Sequence, residues 1–384
     1  MLRALRTPEQ VQAYRAGLVD RVRVADLESG AGMIDLLMWD EIGELSPAEL
    51  DVLQAWSRDK RKVGKKTARQ ILAVFIVNWV ARQAAYSPEQ VKTFLTGARE
   101  MLAEAPLEDP VLLMETAALY AYVEPVSAES RERCVNAALE LMDARDVNAL
   151  PPLLRACQMQ QRGYANSPEY RAQGDWGRAR GLFETAAGYF ARAGDRAGQA
   201  QSLYQVGRSL QPDINLAGGD WTQAAACYAK GAGLLKDAGR PHAQAYFLRQ
   251  QAYCLQPERN PIGNWDTAAK LYNESGALEA LHAHVFEQAD CLCMQGYCLS
   301  PVRNPAGNWE TSARFYEQAS KIYAASENKK RLQGVCLHEI AYQRIRADKR
   351  NLTPETRELF RRAGALRREA GDEQGAQISE SWLR

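Results

Sequence analysis

Apolar and polar residues alternate along most of this chain with the 3.6-residue period of amphipathic helices. The sharpest register starts from tryptophan. Trp176, Trp221, Trp265 and Trp309 recur at intervals of 45, 44 and 44 residues. Three residues after each stands a small side chain (Ala179, Ala224, Ala268, Ser312). Seven after it stands an aromatic (Phe183, Tyr228, Tyr272, Tyr316), and ten after it another small residue (Ala186, Gly231, Ser275, Ala319). Steps of 3, 7 and 10 follow one helix face, so the pattern predicts one packing unit made four times. Asp175, Asp220, Asn264 and Asn308 precede the tryptophans. An acid or amide there is expected to cap the helix by accepting a bond from an orphan N–H. Gly174, Gly219, Gly263 and Gly307 come just before, and we expect them to let the chain turn sharply. Candidate first helices of each pair lie at 197–210, 241–255, 285–299 and 330–346, with small residues at Gly207, Ala252, Gly296 and Ala341.

The pattern Gly-Asp/Asn-Trp-x-x-Ala-x-x-x-Tyr-x-x-Ala resembles the second helix of a tetratricopeptide repeat, over roughly residues 165–345. The resemblance implies an all-α protein, a right-handed α-solenoid of helical hairpins that leaves a concave groove for a partner peptide or domain. One departure is length. A segment intervenes between the two helices of each pair, and two copies read Pro257-Glu-Arg-Asn-Pro-Ile-Gly-Asn264 and Pro301-Val-Arg-Asn-Pro-Ala-Gly-Asn308. Pro ends the first helix, and Asn before Pro favours a turn. These loops either brace themselves through their Asn side chains or present Arg259 and Arg303 to an acidic ligand. The first copy has Ile214-Asn215 and lacks the Arg.

Residues 1–150 also carry helix-period segments: 8–23, 47–57, 68–85, 88–105, 110–123 and 128–144. Thr7-Pro8-Glu9, Ser46-Pro47-Ala48-Glu49 and Ser87-Pro88-Glu89 place a cap and then Pro at a helix start. No Trp register continues there. The expected organisation is an N-terminal helical domain or degenerate repeats over 1–150, the repeat array over 151–350 with a junction at Asn148–Pro152, and capping helices over 351–384. A helix near Pro354–Glu369 would cover the open end of the array.

Composition narrows the classes. With 48 Lys+Arg against 47 Asp+Glu, bulk attraction to nucleic acid or membrane is excluded as the main driving force. The longest apolar run, 71–81, is interrupted by Asn78 and is too short to span a bilayer. The eight cysteines fall inside amphipathic segments, so they read as reduced, mostly buried thiols of a cytoplasmic protein.

The chemistry-bearing residues are sparse. Arg58, Lys60, Arg61, Lys62, Lys65, Lys66 and Arg69 form a basic patch that could hold phosphates of a nucleic acid. Gly64-Lys65-Lys66-Thr67 lacks the earlier Gly of a phosphate loop, since position 59 is Asp59. The basic run from Arg344 to Arg368 is interleaved with acids and reads as a solvated helix face. Cys291/Cys293 and His282/His284 are each two residues apart, so neither pair chelates from one helix face, and no metal or cofactor is expected. Cys336 and His338 fail as a nucleophile–base pair for the same reason, and no catalytic set emerges. First helices line the concave side in the tetratricopeptide family. On them Tyr204, Arg208, Tyr246, Arg249, Gln250, Tyr253, Asp290, Met294 and Tyr297 are the candidate partner-binding residues. The expected function is a non-enzymatic scaffold or adaptor. The alternatives are a regulatory subunit or inhibitor of a signalling enzyme such as a protease or nuclease, nucleic-acid binding through the 58–69 cluster, and an enzyme with a cryptic site.

Overall fold

The computed structural model describes residues 152–348 and 351–383, with a few positions between 135 and 148. The expectations for residues 1–150, including the 58–69 basic patch, lie outside the described residues. Among the described residues eleven α-helices run in sequence: α1 Pro152–Ala165, α2 Trp176–Arg192, α3 Arg196–Ser209, α4 Trp221–Asp237, α5 Pro241–Cys254, α6 Trp265–Leu281, α7 Val285–Cys298, α8 Trp309–Tyr323, α9 Lys330–Ala347, α10 Pro354–Glu369 and α11 Glu373–Ser381. A 3-10 turn, Glu327–Lys329, leads into α9, and no strand occurs among the described residues. The architecture among the described residues is all-α, built of consecutive helical hairpins with lengthened loops.

The described residues fall into two compact units. One holds the chain up to Gly219 together with Gly233–Arg240; the other holds Asp220–Ala232 and the chain from Pro241 onward. In the first, α2 packs on α1 and on α3; in the second, each helix from α5 to α11 packs on the next.

The tryptophan register explains the helices. Asp175, Asn264 and Asn308 have extended backbone, and their side chains accept from the N–H groups of Arg178, Thr267 and Thr311 at 2.6–2.9 Å. Asp220 accepts from both Thr222 and Gln223. The small and aromatic positions are all buried, with Ala179, Phe183, Ala186, Ala224, Tyr228, Ala268, Ser275, Ser312 and Ala319 fully so. The small residues admit the neighbouring first helix. Ser275 Oγ donates to the Ala245 carbonyl at 2.8 Å, and Ser312 Oγ to that of Gly296 at 2.7 Å.

The four glycines before the caps serve a different purpose from the one expected. Their φ is not positive. A Cβ at Gly174, Gly219, Gly263 or Gly307 would stand 2.2–2.5 Å from backbone atoms at the loop's opening. The loop closes on itself there: Gly263 N–H donates to Asn260 O at 2.7 Å and Asn264 N–H to Leu255 O at 2.9 Å. Gly307 and Asn308 repeat both bonds. Only a residue with no side chain fits so close a backbone crossing.

The loop asparagines have two tasks. Asn260 Oδ1 accepts from Ile262 N–H at 3.2 Å and Asn304 Oδ1 from Ala306 N–H at 3.1 Å, bracing each turn. Their amides reach back one repeat, Asn260 to Thr222 at 3.3 Å and Asn304 to Asp266 at 2.8 Å.

At the C-terminus α10 matches the expected helix, and α11 follows it. Phe360 is fully buried, stacked on Trp382 with centroids 5.7 Å apart.

Candidate functional site

The candidate binding residues sit on the first helices in two states of engagement. On α3, Tyr204 is half-buried, and Arg208 donates to Glu169 at 2.9 Å. Tyr246, Arg249, Gln250 and Tyr253 follow at i, i+3, i+4 and i+7 on one face of α5. Tyr246 is exposed, and the Arg249 guanidinium lies 5.5 Å from its ring centre. Arg249 also faces the fully buried Glu279 of α6 at 3.4 Å. Gln250 is half-buried. On α7, Asp290 accepts from the Tyr323 hydroxyl, and Met294 packs against the cluster around Trp265. Burial raises the Asp290 carboxyl above its ordinary value, against the Tyr323 bond and the pull of Lys329 and Arg249. The α5 and α7 residues thus share one electrostatic neighbourhood.

Tyr253 and Tyr297 are held inside the repeat. Each meets the preceding tryptophan edge-on, Trp221–Tyr253 at 5.8 Å and Trp265–Tyr297 at 5.9 Å, and Trp309–Tyr342 makes a third copy at 6.4 Å. The loop arginines cover the other faces. Arg259 lies 3.8 Å over Tyr253, and Arg303 3.6 Å over Tyr297. Arg303 pairs with Glu258 at 3.3 Å, and the Tyr297 hydroxyl donates to the same carboxylate at 2.7 Å. Arg259 and Arg303 are therefore engaged within the hairpins, and the bracing read for the loop asparagines is carried by Asn260 and Asn304.

The thiols are quiet. None of the seven cysteines among the described residues is in a disulfide. Burial pushes the Cys291 thiol up to about 11 and the Cys298 thiol up to about 12, so neither is a thiolate at neutral pH.

One cluster escaped the sequence reading. His242, at the start of α5, Glu279, near the end of α6, and His284, just before α7, bring their ligand atoms within 4.8 Å of one another. His242 Nδ1 lies 2.7 Å from Glu279 Oε2, and the two imidazoles stack with centroids 4.1 Å apart. His282 is buried beside them, and burial holds its imidazole below the ordinary value despite the pull of Glu279. Reading pairs within one helix could not find residues brought together from three. A signal did exist. Glu279 stands fourteen residues after Trp265, where the other repeats have Phe190, Leu235 and Tyr323.

No protein-family model and no curated protein matches the chain. Solved structures do align with it. A Signal Transduction ATPase with Numerous Domains protein with a tetratricopeptide repeat sensor, from Pyrococcus horikoshii, aligns at TM-score 0.47 and 11% identity over 91% of this chain. The alignment takes in 51% of that protein, so this chain spans about half its length. The apo form of RapI aligns at TM-score 0.45 and 11% identity, over 82% of this chain and 98% of its own. A Rap protein complexed with competence and sporulation factor gives 0.48 and 12%, over 95% and 99%. Among the described residues no helix is long and apolar enough to cross a membrane.

Proposed function

We propose that this chain is a non-enzymatic interaction protein that holds a segment of another protein against the first helices of its repeats, with α5 and α7 at the centre of the contact. One observation carries the reading. Tyr246 reaches solvent with Arg249 laid against its ring, and Arg249 is anchored in turn by the buried Glu279. Side chains fixed before binding lose little freedom on binding. Tyr and Arg are also the residue types that most often carry interface energy. Gln250 shares the face and offers an adaptable amide. Thiols outside any disulfide, four of the seven described ones buried, suit a reducing compartment, and a cytoplasmic setting belongs to this proposal.

The test uses the full-length chain in its native cells, with cross-linking and quantitative identification of what is captured. Tyr246→Ala combined with Gln250→Ala is compared with Lys270→Ala, an exposed change on α6. The reading expects the double change to lower recovery of a specific protein by about tenfold or more, and Lys270→Ala to leave it intact. Equal recovery with all three chains rejects the α5 face as the contact.

A further inference from the structure

The repeat that contains α6 breaks the rules its neighbours keep, and the breaks converge on one point. The chain has four histidines, and three of them, His242, His282 and His284, surround Glu279. Glu279 has no exposed side-chain surface, at a register position where the other repeats bury Phe190, Leu235 and Tyr323. A buried carboxylate in place of an apolar side chain costs stability unless positive charge compensates it. Arg249 compensates only in part, because its 3.4 Å approach to Oε1 gives that oxygen no hydrogen bond.

The backbone adds an independent sign. Eighteen residues after their tryptophans, Gly194 and Gly239 end α2 and α4 at φ 73° and 68°. The same place after Trp265 holds Ala283 at φ 61°, the one non-glycine residue with positive φ among those described. An alanine there carries strain that glycine avoids. This turn carries His284, where the other repeats have Asp195 and Arg240.

We infer that His242, Glu279 and His284 form a binding site for a transition-metal dication of the zinc class, tying α5, α6 and α7 together. Two imidazoles and one carboxylate make a borderline set that suits zinc, with a fourth position left for water or a further ligand. Ligand atoms within 4.8 Å of one another need to close by about 1.5 Å to meet a metal at ~2.0–2.1 Å. Tilting the stacked rings so that their ligand nitrogens turn toward one another provides that movement. Glu279 binds through Oε2, the oxygen that faces His242. Its Oε1 stays against Arg249, which orients the carboxylate from behind. This site shares Glu279 and Arg249 with the interaction reading above, but its test reads metal binding and not partner capture, so either can fail alone.

The experiment takes the full chain, stripped with a chelator and dialysed, and adds Zn²⁺ in a calorimeter and Co²⁺ in a spectrophotometer. The expected result is about one equivalent of Zn²⁺ at micromolar affinity or better, and Co²⁺ ligand-field bands without thiolate charge transfer. His242→Asn and Glu279→Gln each weaken binding by about 100-fold or more, while His338→Asn leaves it unchanged. X-ray absorption of the zinc-loaded wild-type chain requires no variant, and it reads imidazole and oxygen neighbours with no sulfur. No binding by the wild-type chain, unchanged binding in the folded variants, or a sulfur shell overturns the site.

Discussion

Replacing Gly263 by alanine tests the account of the interhelical loops. The added Cβ would sit 2.2 Å from the Leu255 carbonyl oxygen and 2.8 Å from that of Asn260. Carbon and oxygen tolerate each other from about 3.3 Å, so the loop must open by roughly 1 Å. That movement stretches the Gly263–Asn260 bond of 2.7 Å and the Asn264–Leu255 bond of 2.9 Å. It also skews the Asn264 cap on Thr267. Two backbone bonds at about 1 kcal/mol each and a cap worth about 1 kcal/mol sum to a loss of about 3 kcal/mol. Gly188 is the matched control. It lies exposed within α2, and a Cβ there meets nothing within 4 Å. Alanine is the better helix former by about 1 kcal/mol, so Gly188→Ala raises stability. One chemical change thus has opposite signs at two sites. Urea unfolding of the full chain, followed by far-ultraviolet circular dichroism, reads both midpoints. Gly263→Ala within about 1 kcal/mol of wild type, or a comparable loss at Gly188, refutes the close-crossing explanation.

Two further outcomes follow from the second unit. Burial, reinforced by Arg367, holds His338 down to about 4, with Nδ1 3.1 Å from Ser379 Oγ and the ring edge-on to Phe360. The unfolded imidazole takes its proton near 6.5, so stability is complete above that pH and is lost as pH falls toward 4. The loss is about 3 kcal/mol, and His338→Leu should flatten that part of the stability–pH curve; an unchanged slope refutes the assignment. Ala283→Gly relieves about 1–2 kcal/mol of left-handed strain against about 0.5–1 kcal/mol of added chain entropy. The metal-free variant should therefore melt slightly higher than wild type, and a lower melting temperature argues against strain at that turn.

The helices were legible because their signals are local and repeated. The first helices expected at 197–210, 241–255, 285–299 and 330–346 occur at Arg196–Ser209, Pro241–Cys254, Val285–Cys298 and Lys330–Ala347. Trp, the small residues and the aromatic sit in one register, and caps mark where each helix begins. The purpose of the glycines was not legible, since a residue type does not tell a close crossing from a positive φ. The use of Tyr253 and Tyr297 was also hidden, because a helical face alone does not reveal a loop arginine folded over it. His242, Glu279 and His284 lie 37 and 5 residues apart, a spacing with no meaning until α5, α6 and α7 are packed. Comparing repeats position by position, not as motifs, would have exposed Glu279.

The amides of Asn260 and Asn304 each clasp the hairpin behind them. Each of these two hairpins therefore brings the hook for its predecessor, whereas Asn215 in the first linker donates to Ser209 of its own hairpin. The hooked coupling tolerates growth or loss by whole modules, because duplicating one of the two recreates the same hook at the new seam. Insertions of a few residues between Trp and the loop Asn enjoy no such tolerance: they would move the hook out of reach.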